Sequence, residues 1–510
     1  MSETKDDELY SVLLLYPDTK AAALGSPGFR QVFRTLNDCN DIAVDWGWYD
    51  VKDDKIVYEC RDWKNEYHVI GFSIPYELLY ANVVRCLVDL GIEPDGETRS
   101  EDAPVVMTGG AAPIINPVVA GSIADVVYTG EVEINLPETV RSISENKKTG
   151  AAKKLTPMSG RRLPEKIMAA PRFFSCVENV DSSYLGEFDN PSVSAFRNAG
   201  LVEVGRGCSR GCRFCAAGHV YLPVRHRSVD DILRDADSFR GKAERIGLVG
   251  ASISDYRHLK EVMRGILDMG FGLTTSSFRA DMLDTEVAFL LKKGGLKTVT
   301  IAPEGGSPRM RAIVNKHLSE QDILRAAESC SEAGIGNLRL YYMVGLPWEH
   351  ESDIDAICTL TDKVRKVFSQ HGRRITVSVN PFIPKPNTPF QWCRMANRAE
   401  IKNAYRVLER SFRRMPGVTL KTLSVRTSIR EAVISLGDRA VGKAIIENAR
   451  DAVPWKKALS DQGIDPDYLL HREKGAGETF PWDDYTGIET KTALRTSFER
   501  AGQAAFENNS

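Results

Sequence analysis

Six short apolar runs recur between Leu201 and Pro384: LVEVG, RIGLVGAS, GLTTSSF, TVTIAPE, NLRLYYMVGLP and ITVSVNPFIP. Their length and their glycine, proline or polar endings suit strands. Stretches with helical spacing lie between them, such as SVDDILRDADSF and SEQDILRAAESCSEAG, the second ending on a glycine cap. Strands that alternate with helices pair in parallel and bury both faces of their sheet. Six such units fit a partial (β/α)6 TIM-type barrel better than an open sheet, although spacing alone does not separate the two.

An independent series precedes them. YSVLLLYP ends a buried strand on a proline, and YHVIGFSIPYELLYANVVRCLVDLGI passes from strand to helix after Ser73, with Leu78, Leu79, Val83, Leu87 and Leu90 on one face. PVVMTGGAAPIINP and ADVVYTGEVEINLPETV repeat the scheme. A doubly wound, Rossmann-like parallel sheet follows, with ligand loops at the carboxyl ends of its strands: Pro17–Gly25, Ser73–Glu77, Thr108–Pro113 and Thr129–Glu133. With 510 residues the chain is long enough for two to four domains. The expected division is 1–140 for this sheet, 141–200 for a basic connector (NKKTGAAKKLTPMSGRRLPEK), 201–395 for the partial barrel and 396–510 for a mostly helical region. The strands are expected to stop after PFQW, and REAVISLGDRAVGKAIIENA is the clearest amphipathic stretch beyond it. The fold class is therefore α/β.

Charged residues make up 27% of the chain and hydrophobic residues 42%, with a formal net charge of −2, which is the balance of a folded soluble protein. Such a charge disfavours duplex nucleic acid as a partner but leaves room for a local basic patch. No stretch approaches a membrane span and MSETKDDELYS lacks the apolar core of a signal peptide, so a cytoplasmic location is expected.

Seven of the ten cysteines (Cys39, Cys60, Cys86, Cys176, Cys330, Cys358 and Cys393) are scattered, as buried small hydrophobes in a reducing compartment usually are. The other three, Cys208, Cys212 and Cys215, lie in RGCSRGCRFCAAG just after the first barrel strand. A structural zinc ion would need a fourth ligand, and a disulfide would strand one thiol. Iron–sulfur clusters take thiolates from such glycine-containing loops, and three ligands for a four-iron cube leave one iron open to a small molecule.

The spacing Cys-x-x-x-Cys-x-x-Cys, with Phe214 before the last cysteine, resembles the signature of radical S-adenosylmethionine (SAM) enzymes. VTIAPEGGSPRMRAIVNK (299–316), YYMVGLPWEHESD (341–353) and NPFIPKPNTPFQW (380–392) are similar to further segments of that superfamily. The resemblance implies a [4Fe-4S] cluster on the three cysteines and SAM chelating the open iron. By position it assigns Phe214 and Gly345 to adenine packing, and Ser276, Arg279 and Glu304 to the polar end of SAM. An ordinary ion pair at the barrel top is the competing reading for Arg279 and Glu304. Arg309 and Arg311 read as a helix face rather than ligands, and His219 and His226 as structural.

A glycine-looped α/β sheet ahead of such a barrel resembles the cobalamin-binding domain of the cobalamin-dependent subgroup, and SIREAVISLGDRAVG and FPWDDYTGIETK resemble that subgroup's carboxy-terminal region. The implied cobalamin contacts are Tyr16, Pro17 and Asp18 in the first loop, Ser73, Pro75, Tyr76 and Glu77 in the second, Thr108, Gly109, Gly110 and Ala111 in the third, and Gly130 and Glu131 in the fourth. The Asp-x-His-x-x-Gly pattern that carries a histidine to cobalt is absent, since the first loop reads YPDTKAAALG. The resemblance thus implies a cobalamin-dependent methyltransferase acting at an unactivated carbon. Methanogen enzymes that methylate methyl-coenzyme M reductase, the glutamine C-methyltransferase among them, look similar in architecture. A protein or peptide substrate and an electron donor such as ferredoxin or flavodoxin are the implied partners. Cyclisation or oxidation without methyl transfer is the nearest alternative, and a non-catalytic cofactor sensor the alternative of another class. A methylthiotransferase would carry a second cysteine triad upstream and a basic RNA-binding module downstream, and neither is visible.

Overall fold

In the computed structural model the described residues are 9–58, 67–148, 194–196, 198–368, 373–475 and 477–507. Cys60, Cys176 and most of the expected connector lie outside them. The first sheet contains β1 (Tyr10–Tyr16), β2 (Ile42–Asp50), β3 (Lys55–Tyr58), β4 (Val69–Ser73), β5 (Val105–Gly109) and β6 (Val126–Val127), in the order β3-β2-β1-β4-β5-β6. All neighbours are parallel except β2 and β3. The chain leaves β1 toward β2 and later returns to β1's other side with β4, which makes the β1/β4 boundary the topological switch point. β1 and β4 are apolar on both faces because helices cover both sides of the sheet. β2 and β3 were not expected: IAVDWGWYD carries two aspartates and a glycine, and with only the four-residue edge strand β3 beyond it β2 is half buried.

The second half holds β7 (Ala199–Arg206), β8 (Arg225–His226), β9 (Arg245–Gly250), β10 (Gly272–Thr275), β11 (Thr298–Glu304), β12 (Asn337–Val344), β13 (Arg374–Pro381) and β14 (Val418–Thr422). One sheet runs β10-β9-β7-β8 and another β11-β12-β13-β14. A parallel bridge from Phe278 to Ile301 joins them. Strands β7, β9, β10, β11, β12 and β13 correspond to the six apolar runs. The result is an incomplete parallel barrel with β8 at one end and β14 at the other. β14 corrects the expectation that strands stop after PFQW: VTLKT is short and mostly exposed, and its only strand partner is β13.

Alternation along β12 explains what the barrel buries. Leu338, Leu340, Tyr342 and Val344 are buried against helix residues such as Ile323, Ile357 and Leu360, while Arg339, Tyr341 and Met343 on the other face remain partly open. Each fully buried aliphatic side chain contributes about 1.5–3 kcal/mol relative to exposure, so the apolar face holds the shell together and the other face is left for chemistry.

The carboxy-terminal residues are helical apart from β14, and they clasp both sheets. Asn116 Nδ2 donates to Ser435 O and Gly437 O, each at 2.9 Å, and Ser122 Oγ donates to Arg439 O at 2.8 Å. The last helix, 488–507, lays Ala501 and Ala505 against Met310, Ile313, Leu346, Phe382 and Phe390 at the barrel end. Among the described residues no helix is long and apolar enough to cross a membrane.

Candidate active site between the sheets

The three cysteines occupy the loop that leaves β7. Gly207 turns the chain with φ +81°, and a Cβ there would meet Tyr221 O at 2.4 Å, so both conformation and space demand glycine. Backbone and side-chain bonds tie the loop to the segment after β11. Arg213 N donates to Val314 O at 3.1 Å, Arg213 Nη1 donates to Ala312 O at 3.0 Å and Ile313 O at 2.6 Å, and Asn315 Nδ2 donates to Gly211 O at 2.9 Å. The His219 ring bonds Cys212 O at 3.1 Å, a structural role. Burial pushes the Cys212 thiol up to about 11; Cys215 and Glu304 reinforce the rise, whereas Lys316 and Arg279 oppose it. Cys215 is raised by burial and by Cys208 as well.

Thiols collected in so dry a loop become thiolates only with positive charge beside them, which bound iron supplies. Among the described residues no three His, Cys, Asp or Glu side chains are arranged to hold one metal ion. A zinc-type site would require that convergence, whereas a cubane takes each thiolate on a different iron. Three thiols from one short loop are a donor set that an iron–sulfur cluster takes.

The candidates for the SAM end are placed as follows. Phe214 is partly buried against the apolar cluster that includes Met310, Ile313 and Phe390. Ser276 is exposed after β10. Arg279 is buried and committed to Asp281 at 3.1 Å and to Lys316 O at 3.0 Å, so its guanidinium fixes the turn after residue 315. Glu304 ends β11 in a left-handed conformation, φ +66°, and pairs with Lys316 at 3.1 Å. Such a conformation costs a non-glycine residue on the order of 1 kcal/mol and aims the carboxylate away from the strand ladder. The ion-pair reading of Arg279 and Glu304 thus holds separately for each, with different partners. Gly345 N donates to Glu349 Oε2 at 2.6 Å. Arg309 and Arg311 are not a solvated helix face. Arg309 bonds Asp353 and Trp348 O, each at 2.6 Å, and Arg311 reaches Leu318 O at 2.8 Å and Gly306 O at 2.8 Å.

A cavity of about 420 Å³ lies between the carboxyl ends of the first sheet and the start of the barrel. Ser73, Gly109, Gly110, Ala111, Gly130 and Glu131 line one wall. Gly205, Gly207, Ala217, Tyr221 and Gly250 line the other, so the cysteine loop borders the same space. An apolar arm runs past Leu14, Val32, Met107 and Leu136 along one face of the sheet. Tyr16, Pro17, Asp18, Pro75, Tyr76, Glu77 and Thr108 stand outside the lining. Tyr16 is buried against Phe29 with ring centroids 5.2 Å apart, Pro17 O accepts from Asn82 Nδ2 at 2.9 Å, and Glu77 pairs with Lys385 at 2.6 Å. Gly110 has φ +108°, and a Cβ would meet Ile74 O at 2.7 Å, so part of its requirement is contact between two loops. At the ends of β5 and β6 the buried hydroxyls of Thr108 and Thr129 have no hydrogen-bond partner among the described residues. Buried orphans of this kind usually await a ligand or water.

Comparison with known proteins agrees with this geometry. Residues 202–361 match the model of the radical SAM superfamily, and residues 28–162 match that of radical SAM proteins, N-terminal. Together the two span more than half of the chain. Residues 202–361 are a radical SAM domain. The radical SAM match begins in β7 and takes in the cysteine loop, Arg279, Glu304 and Gly345. An uncharacterized protein of Methanocaldococcus jannaschii, MJ0966, is 28% identical over 85% of this chain and 90% of its own length. An uncharacterized methyltransferase of Pyrococcus horikoshii, PH0819, is 22% identical over 48% of this chain and 54% of its own. Among solved structures, the radical SAM methyltransferase TsrM from Kitasatospora setae, with cobalamin and a [4Fe-4S] cluster bound, superposes with TM-score 0.60 at 14% identity. That match covers 87% of this chain and all of the other. The cobalamin-dependent radical enzyme OxsB gives 0.52 at 13%, covering 98% of this chain and 80% of the other. These likenesses establish the shared fold.

The radical SAM domain is joined to the first sheet by charges that no local pattern announces. Arg206, at the end of β7, bonds Glu133 at 2.6 Å and Glu203 at 3.0 Å and lies 3.5 Å from Glu131, while Arg225 bonds Glu131 at 2.6 Å. Burial alone would lower the Arg206 pKa, but Glu203 and Glu133 more than reverse that. Lys316, Asn315 and Arg213 were also missed, although Asn315 and Lys316 end a quoted motif; Arg213 and Asn315 find their partners about 100 residues away in sequence, and Lys316 is paired with Glu304.

Proposed function

We propose that the protein is a cobalamin-dependent radical SAM methyltransferase that places a methyl group on an unactivated side-chain carbon of a protein or peptide. One observation carries this reading: the cysteine loop and the glycine-rich strand ends of the first sheet border one cavity. Two cofactors that act on a single carbon must share a space within van der Waals reach. When bound, the cluster with SAM supplies a hydrogen-abstracting radical and cobalamin carries the methyl group.

The chain's own residues bind, orient and seal. Cys208, Cys212 and Cys215 would hold three irons, with the loop kept in place by Arg213 and Asn315. Phe214, Gly345 and Glu304 would receive SAM. Ser73, Gly109 to Ala111 and Gly130 would admit the flat face of a corrin. No histidine is among the residues lining the cavity, so the lining offers no imidazole to a corrin held there. The Arg206–Glu133 and Arg225–Glu131 pairs close the seam against water, which protects radical chemistry.

The test is anaerobic reconstitution with iron, sulfide, cobalamin and deuterated-methyl SAM, followed by mass spectrometry of host peptides, methyl-coenzyme M reductase among them where the host has it. Label on a carbon with equal amounts of S-adenosylhomocysteine and 5′-deoxyadenosine supports methyl transfer. SAM cleavage with an unlabelled, cyclised or oxidised product would replace it with the nearest alternative, and bound cofactors without turnover would point to a sensor.

A further inference from the structure

We propose that the free edge of β14, with the cations around it, docks an extended acidic segment of a partner protein. The inference goes beyond the cofactor chemistry and does not depend on it.

Among the described residues β14 pairs only with β13, which leaves its other side as a sheet edge. Ile375 N donates to Gly417 O at 2.9 Å and Leu423 N donates to Val379 O at 3.4 Å. Because backbone direction alternates along a strand, the odd-numbered residues face β13, and Leu420 and Thr422 turn their N–H and C=O groups outward. Those groups have no partner among the described residues. Thr419, Lys421 and Thr422 are exposed, and Leu423 is 38% exposed beside them. An open ladder is a template for an added strand.

Charge then selects the strand. Residues 398–430 contain nine cations and only two carboxylates, in a chain whose net charge is −2. One of the two, Glu400, is already paired with Arg394 at 2.9 Å; the other is Glu409. Lys402, Arg406, Arg410 and Arg413 recur at helical spacing on the exposed side of the helix that leads into β14, and Arg414 follows them. Lys421 lies in the strand and Arg426 just beyond it, both exposed. Farther along, burial and then the neighbouring Arg85 and Arg426 depress the Arg430 guanidinium, so like charges crowd one another here. A single lysine is the usual guard against unwanted edge pairing; so many cations instead form a field that attracts an anionic chain. RNA would use the cations but not the open ladder or Leu423, so the combination favours an extended acidic polypeptide.

The probe is a fluorescent twelve-residue Val-Glu repeat, compared with a Val-Lys repeat and a dodecauridylate RNA, by anisotropy with the full-length protein at low and moderate salt. The expected result is salt-sensitive binding of the acidic peptide alone, with hydrogen exchange in 418–423 slowed on binding. Reversing charge in Arg410→Glu/Arg413→Glu/Arg414→Glu should weaken binding at least about tenfold. Thr422→Pro removes an outward N–H without touching the β13 ladder and should weaken it several-fold. Both variants should melt as the parent does and keep 5′-deoxyadenosine formation, so failure here stays distinct from failure of the catalytic reading. RNA binding tighter than the peptide would overturn the proposal. So would equal peptide binding by Thr422→Pro without exchange protection, or no binding by the parent.

Discussion

Arg206→Met keeps most of the aliphatic stem and removes the guanidinium from the seam between the two sheets. The lost bonds go to Glu133 at 2.6 Å and Glu203 at 3.0 Å, and these carboxylates are 13% and 19% exposed. Charge-assisted bonds of this kind contribute about 1.5–3 kcal/mol each. Partial exposure lets the carboxylates rehydrate, which returns roughly half and leaves a net loss of about 2–3 kcal/mol. With an unfolding entropy of about 2.1 cal/mol/K per residue, a cooperative unit of this length has about 1 kcal/mol/K, so Tm should fall by about 2–3 °C. Calorimetry of Arg206→Met, Glu133→Gln and the double variant measures the coupling directly, and about 1–2 kcal/mol is expected. Corrinoid retained after gel filtration should fall in parallel. A Tm change within 1 °C together with a coupling below about 0.5 kcal/mol would refute the reasoning, because the network would then behave as an ordinary surface pair.

Cys212→Ala should lose most of its iron and form no 5′-deoxyadenosine after reconstitution; retained cleavage of SAM would remove the cluster from this loop. Cobalamin bound and reduced to the Co(II) form should show an electron paramagnetic resonance spectrum without splitting from an axial histidine nitrogen. Glu349 is pushed up to about 8, first by burial and then by Asp353. The folded protein therefore holds a proton that the unfolded chain releases near pH 4.5, so this contribution is full below that pH and is lost as pH rises through about 8. Glu349→Gln should accordingly flatten the decline of Tm between pH 6 and 9, and an unchanged profile would count against the buried acid.

Strand-forming runs were plain from their apolar content, on both faces in β1 and β4 and on alternate residues in β12 and β13, which is why the six barrel strands and β1, β4, β5 and β6 stand where expected. The edge strands β3 and β14, and β2 beside β3, escaped for the converse reason: they are half wet, so IAVDWGWYD and VTLKT carry polar residues that resemble loops. The cysteine loop was legible because its ligands are local in sequence. Arg206, Glu133 and Glu203 were not, since which strand end faces which is decided by the way the two sheets dock. Arg309 and Arg311 looked like a helix face because arginine is ordinarily solvated, yet each has backbone carbonyls to satisfy at the barrel top. The cavity divides the expected cobalamin contacts in the same way: the glycine turns border it, whereas Tyr16 and Glu77 are used up by packing and pairing.

The last helix has a consequence for assembly. It shares an apolar cluster with Phe214, and Ser497 accepts from Arg213 at 3.4 Å, so it covers the flank of the cysteine loop. During translation the three thiols leave the ribosome more than 250 codons before that cover exists, an interval of about 15–55 s at ordinary elongation rates. Iron delivery thus has a natural opening while the polypeptide is unfinished, and once the cover is seated a carrier must first prise it away.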